Sequence, residues 1–126
     1  MTALSSVTTI DELRQIAKKR VPTMFYDYME SGSWTESTFR ANCDDFAKIT
    51  FRQRVAVDMS DRSTSVNVLG QPIHMPVAIA PTGLTGMQHA DGEILAAQAA
   101  EAFNIPFTLS TMSISSIEDV AKHTNA

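Results

Sequence analysis

The sequence predicts an α/β chain, with helices and a small β-hairpin in front and βα units behind. Three observations carry this. The run Met75-Pro76-Val77-Ala78-Ile79-Ala80 is continuously apolar and ends in Pro81-Thr82-Gly83. An apolar run bounded by turn residues suits a strand buried on both faces of a parallel sheet. From residue 76 to 123 the patterns alternate strand, loop, helix, strand, loop, helix, and crossovers of that kind make parallel sheets. Upstream, apolar residues recur at helical spacing behind capping signals.

In chain order, residues 1–8 are Ser/Thr-rich and without periodicity. Thr9 with Glu12 has capping-box spacing and opens a helix whose apolar face is Ile10, Leu13, Ile16 and Ala17. Lys18, Lys19 and Arg20 suit the negative end of its dipole. Pro22 ends that helix and begins the next, Thr23 to Ser31, with Gly32 expected as its left-handed stop. Tyr26 and Tyr28 are two apart and cannot share a helix face. A third helix is expected from Thr35 to about Lys48, with Cys43 as a small buried hydrophobe on it. Residues 49–57 read as extended. Ser65–Leu69 and Pro72–Met75 read as a hairpin turning at Gly70-Gln71. The strand that follows is answered by an alanine-rich helix from Asp91 to Phe103. A second short strand, Pro106–Ser110, leads to a helix opened by Ser115 and Glu118. This divides the chain into 1–75, helical with a hairpin, and 76–126, two βα units.

Composition narrows the function. The 126 residues are 44% hydrophobic and 19% charged, with a net charge of −4. Those are ordinary globular values, and the charge gives no reason to expect nucleic acid as a partner. The single cysteine excludes a disulfide framework and a cysteine metal cage. With no basic-apolar leader and no spanning apolar segment, a cytoplasmic location is expected.

Strands of this kind deliver the residues after them to the face where ligands bind. There Pro81 ends the ladder, Thr82 offers a hydroxyl, and Gly83 admits a flat ligand close to the backbone. The loop after the second strand offers Ser110, Thr111, Ser113, Ser115 and Ser116. Both loops are rich in donors and poor in charge, which favours binding a polar, planar or phosphorylated ligand over acid–base catalysis. The bland alternative is a plain strand end with a turn. The glycines match no nucleotide-loop pattern. His89 lacks a second ligand at useful spacing, so a structural hydrogen bond is expected of it, and Asp91 and Glu93 are expected to serve the helix N-terminus. Two strands leave a sheet edge open, so the chain reads as the front part of an α/β ligand-binding barrel.

Several separate blocks, in order, carry a family resemblance. They are Val21-Pro22 through Tyr26-Asp27-Tyr28 to Ser31-Gly32, Phe51-Arg52-Gln53-Arg54, Leu69-Gly70 followed by Met75-Pro76, and Ile79-Ala80-Pro81-Thr82-Gly83. They continue with His89-Ala90-Asp91-Gly92-Glu93, Leu109-Ser110-Thr111-Met112-Ser113, and Ser116 to Ala121. Together they resemble the N-terminal part of the FMN-dependent α-hydroxy-acid dehydrogenase/oxidase family, which includes L-lactate dehydrogenase, glycolate oxidase and mandelate dehydrogenase.

The resemblance implies a fold and a set of roles. The fold is the first two βα units of a TIM (β/α)8 barrel, incomplete in this chain. FMN is the cofactor, with the Pro81, Thr82 and Gly83 backbone against its ring and Ser110 hydrogen-bonded to it. Gly83 stands where some members carry alanine, leaving more room beside the ring. Tyr28 binds the substrate carboxylate, and Met112 faces the substrate pocket. The implied activity is oxidation of an L-2-hydroxy acid, lactate-like, to a 2-oxo acid by hydride transfer to flavin N5. The catalytic histidine, the flavin-facing lysine and the carboxylate-pairing arginine are expected outside these residues, which leaves no catalytic residue in the chain and the chain inactive alone. The remainder of the barrel is then the necessary partner. A homotetramer, in some members peripheral on the inner membrane, is the implied assembly. The competing readings are another FMN barrel enzyme and a non-catalytic assembly fragment that pairs through its open sheet edge.

Overall fold

The structure, a computed structural model, describes residues 6–125. The described residues fall into two compact units, divided between Asp61 and Arg62.

The first unit is helical. Helix α1, Ile10–Arg20, starts from Thr9, whose hydroxyl accepts the Glu12 N–H at 3.2 Å while Glu12 reaches back to the Thr9 N–H at 3.1 Å. This is the expected capping box. It satisfies two backbone donors that a helix start otherwise leaves open. Helix α2, Thr23–Glu30, follows Pro22, whose carbonyl accepts the Phe25 and Tyr26 N–H groups. The two helices are joined by Arg14, whose Nε lies 2.9 Å from each Glu30 carboxylate oxygen and whose Nη2 also donates to Glu30. That pairing raises the Arg14 pKa and holds Glu30 below the usual carboxylate range. Tyr26 is buried on α2, at 8% exposed.

Gly32 departs from expectation. Helix α2 ends at an extended Ser31, and Gly32 is not among the residues with positive φ. A Cβ there would stand 2.8 Å from the Phe39 Cβ, so close approach of the following helix accounts for the glycine. Helix α3 is shorter than expected, Ser37–Asp44, and gives way to a 3-10 turn at Phe46–Lys48. Cys43 is exposed on α3, not buried. Residues 49–57 pair with no strand among the described residues, and their extended-strand pattern finds no ladder.

The second unit opens with the hairpin of β1, Val66–Val68, and β2, Gln71–Ile73, in the register Val66 to Ile73 and Val68 to Gln71. Its turn is Leu69-Gly70, one residue earlier than expected. Both residues have positive φ, 50° and 84°, the twist that a two-residue hairpin loop requires. The hairpin is tied to the rest of this unit by the His74 N–H, 3.2 Å from the Asn104 carbonyl. By its contacts it therefore belongs with the residues after it.

The two expected parallel strands meet at one bridge, Ile79 to Phe107. The Ile79 N–H donates to Pro106 O at 2.9 Å, and the Thr108 N–H to Ile79 O at 3.1 Å. Between them run a short helix α4, Thr85–Gln88, and the long α5, Gly92–Phe103, which buries Ala97 and Ala100 completely. Small side chains on that face let the helix lie close to its neighbours. Helix α6, Ile117–His123, packs on α5 through Val120 and through Gln98 Nε2, which donates to His123 O at 3.2 Å. Its cap is Ser116, whose hydroxyl accepts the Asp119 N–H at 3.1 Å. Ser115, the expected cap, is used elsewhere.

Candidate functional site

Two loops leave the parallel bridge in the same direction, 80–85 after Ile79 and 109–116 after Phe107, because the paired segments are parallel. They touch along a seam. The Leu84 N–H donates to Met112 O at 2.9 Å, and the Met112 N–H donates to Ser110 Oγ at 3.1 Å. A Cβ at Gly83 would stand 3.1 Å from Met112 Cβ and 3.7 Å from Ser110 Oγ, and one at Gly86 only 2.7 Å from Ile114 Cβ. Both glycines thus allow the loops to approach, and the missing methyl of Gly83 faces Met112 and Ser110.

The seam brings together Gly83, Ser110 and Met112, three of the residues expected at a site. Pro81, Thr82 and Gly83 are exposed, Ser110 is half-buried, and Met112 is 62% exposed. Thr82 Oγ1 turns back to Ala80 O at 3.3 Å, and Thr85 Oγ1 donates to Thr82 O at 3.0 Å. Among the described residues no backbone carbonyl takes the N–H of Thr82 or Gly83. The Ser110 hydroxyl, having accepted from Met112, keeps its proton to donate. The result is an uncharged strip of backbone and hydroxyl donors over an apolar strand end. A flat heteroaromatic ring with polar edges, such as a flavin, fits that chemistry. Tyr28, the remaining expected residue, stands on α2 of the first unit and is 67% exposed, whereas Tyr26 is buried, as the two-residue spacing requires.

Sequence reasoning missed Glu93. Expected as a charge at a helix start, it is 2% exposed instead. Its Oε1 accepts the N–H groups of Gly86 and Ile114, each at 3.0 Å, and its Oε2 accepts Ser115 Oγ at 3.3 Å. Burial opposes the charge, but the N–H groups of Ile114, Glu93 and Gly86 outweigh it and hold the carboxyl below its usual range. The signal that could have found it is the dense glycine and serine around both loops, which leaves many backbone donors needing one acceptor. Asp91 offers no side-chain cap and sits at φ 56°. His89 Nδ1 lies 2.7 Å from Ala90 O, the structural role expected of it. Among the described residues no group of acidic, histidine or cysteine side chains could hold a metal ion, and no helix is long and apolar enough to cross a membrane.

Residues 17–126 match the family model described as FMN-dependent dehydrogenase. The chain is 44% identical over 115 residues to an L-lactate dehydrogenase of Alcaligenes faecalis, and 47% identical over 115 residues to one of Xanthomonas campestris. Each match covers 91% of this chain and 30% of the relative, so the chain spans about a third of the length of the proteins it resembles. Among solved structures, an active mutant of (S)-mandelate dehydrogenase superposes with a TM-score of 0.89 at 40% identity, over 96% of this chain and 34% of that one. A monotopic membrane form of (S)-mandelate dehydrogenase superposes equally well, with a TM-score of 0.89 at 39% identity, over 96% of this chain and 32% of that one. The βα units described above are accordingly the first part of a TIM-type barrel. With a family model covering residues 17–126, the chain belongs to the FMN-dependent dehydrogenase family.

Proposed function

We propose that this chain forms one wall of an FMN site in an enzyme that oxidises an L-2-hydroxy acid, lactate-like in size, to the 2-oxo acid. The observation that carries the reading is the seam of Gly83, Ser110 and Met112 at the ends of two parallel segments. The Pro81-Thr82-Gly83 backbone lies against the ring, and Ser110 donates to the cofactor. Tyr28 gives its phenol to the substrate carboxylate, and Met112, exposed beside Gly83, bounds the substrate side chain. FMN, when bound, supplies the two-electron acceptor, with N5 as the position that takes the α-carbon hydride.

The 126 residues alone do not turn over. Oxidation needs a base on the hydroxyl and a carboxylate clamp acting together. The remainder of the barrel is the partner that completes the site, in a homotetramer held on the cytoplasmic side, free or peripheral on the membrane.

Visible absorption of the purified protein tests the cofactor, and anaerobic bleaching by L-lactate, glycolate or mandelate tests the substrate. Bleaching by at least one of these 2-hydroxy acids is expected with the rest of the barrel present, and none with the isolated 126-residue chain. Absence of flavin from the barrel-containing protein, or dye reduction by the isolated chain, overturns the reading.

A further inference from the structure

We infer that Glu93 is the positioning residue that sets the spacing of the two loops facing the cofactor, and through that spacing the affinity and surroundings of FMN. The inference rests on the reading above that Pro81–Gly83 and Ser110–Met112 form the cofactor wall.

The geometry is specific to that role. Gly86 stands in the first turn of α4, directly after the first loop, and Ile114 follows Met112 in the second loop; one carboxylate oxygen accepts both of their N–H groups at 3.0 Å. The other oxygen takes Ser115 Oγ from the second loop. A charge serving only its own helix end would lie exposed at the first turn of α5, yet Glu93 is 2% exposed and spends its oxygens on the loops. Helix α5 supplies a fixed reference, since Ala97 and Ala100 on it are fully buried. Among the described residues, the backbone tie between the two loops at the seam is Leu84 N–H to Met112 O. Behind the wall lies a cavity of about 120 Å³ lined by Ala80, Thr82, Thr85, Glu93, Phe107 and Ser110. That space gives the loops somewhere to shift once the carboxylate is gone.

Glutamine at this position keeps one oxygen for both backbone donors and presents its amide to Ser115, whose hydroxyl can accept. Alanine leaves the part-buried N–H groups of Gly86 and Ile114 without this acceptor. The test compares Glu93→Gln, Glu93→Ala and Val120→Ala in the protein as its gene encodes it. Val120→Ala serves as a control for general loss of stability in the same unit. FMN affinity, the visible circular dichroism of bound flavin, and amide exchange at Gly86 and Ile114 are measured.

Glu93→Ala is expected to weaken FMN about tenfold or more and to alter the flavin dichroism, with Glu93→Gln within about threefold of the parent. Val120→Ala, compared at equal loss of Tm, should leave both unchanged. Equal FMN affinity and dichroism in Glu93→Ala and Val120→Ala overturns the inference. Should Glu93→Ala fail to fold, Glu93→Asp, one methylene short with its charge kept, replaces it and must weaken FMN more than Glu93→Gln does. If the parent takes up no FMN, the proposed function falls, and exchange at Gly86 and Ile114 decides the spacing role by itself. Exchange about tenfold faster in Glu93→Ala than in Glu93→Gln supports it, and equal rates overturn it.

Discussion

In the first unit the apolar residue taken out of water is Tyr26, on a pair of helices clamped by Arg14 and Glu30. In the second the buried set is Ile73, Ala97, Ala100 and Val120, with the polar Glu93 and Thr124 among them. The first unit holds its helices mainly with local devices, a capping box and ion pairs three or four residues apart, with Arg14 to Glu30 joining α1 to α2. The second holds its elements through groups distant in sequence: Glu93 reaches Ile114, and Glu101 accepts Thr124 Oγ1 at 2.7 Å. Local devices make helices, whereas long-range polar ties make a site, because only they can fix one loop against another.

The sharpest way to break the contrast is to remove Tyr26. Tyr26→Ala is expected to cost about 3 kcal/mol in the first unit, seen as lost amide protection in α1 and α2 with α5 unaffected. Next comes Gly86→Ala, whose new Cβ would meet the Ile114 Cβ at 2.7 Å. Neither carbon can swing aside without its backbone, so about 2 kcal/mol and a weakened cofactor wall are expected, read by thermal unfolding and flavin binding. Thr9→Ala removes the α1 cap and is expected to cost about 1 kcal/mol, confined to α1 exchange.

Acid acts on both units in the same sense. Glu93 and Glu30 are each held below the usual carboxylate range, so their contributions are complete above that range and are lost as pH falls through the lower folded values. Glu93→Gln should flatten the acid limb of the second unit, and Glu30→Gln that of the first. A limb unchanged by its own substitution would assign acid sensitivity to other groups. The smallest effect is expected from Arg14→Met, a loss seen at low salt and gone at high salt, since that pair is half exposed.

What the sequence made legible was local. Thr9 and Glu12 meet across a single turn, so their box could be read from spacing alone. Ser115 and Ser116 each stand three residues before an acid, Glu118 and Asp119, and pattern cannot choose between them; the choice is made by Glu93, which engages Ser115 from another helix. Gly32 was misread for a related reason, because a glycine serving close approach to Phe39 looks the same in one dimension as a glycine serving a left-handed turn. The strand at 76–80 showed its apolar run, yet only Ile79 makes ladder bonds, since strand pairing depends on neighbours that lie elsewhere in sequence. The loop residues Gly83 and Ser110 were singled out from the ends of the apolar runs, and Met112 from the family resemblance. Glu93 was seen and given only part of its work, that of the helix start, because burial is a tertiary fact.

The His74 tie to Asn104 carries a consequence of its own. His74 and Asn104 precede the bridge residues Ile79 and Phe107, while Thr82 and Ser110 follow them, so the hairpin stands at the end of the parallel pair remote from the loops. Changes of ligand preference and changes of robustness can therefore accumulate at separate addresses in this unit. A lineage, or an engineer, can load compensating substitutions around Gln71 and Pro72 without disturbing the face where Gly83 meets Met112. That freedom lets one scaffold be re-tuned for different ligands while it stays folded.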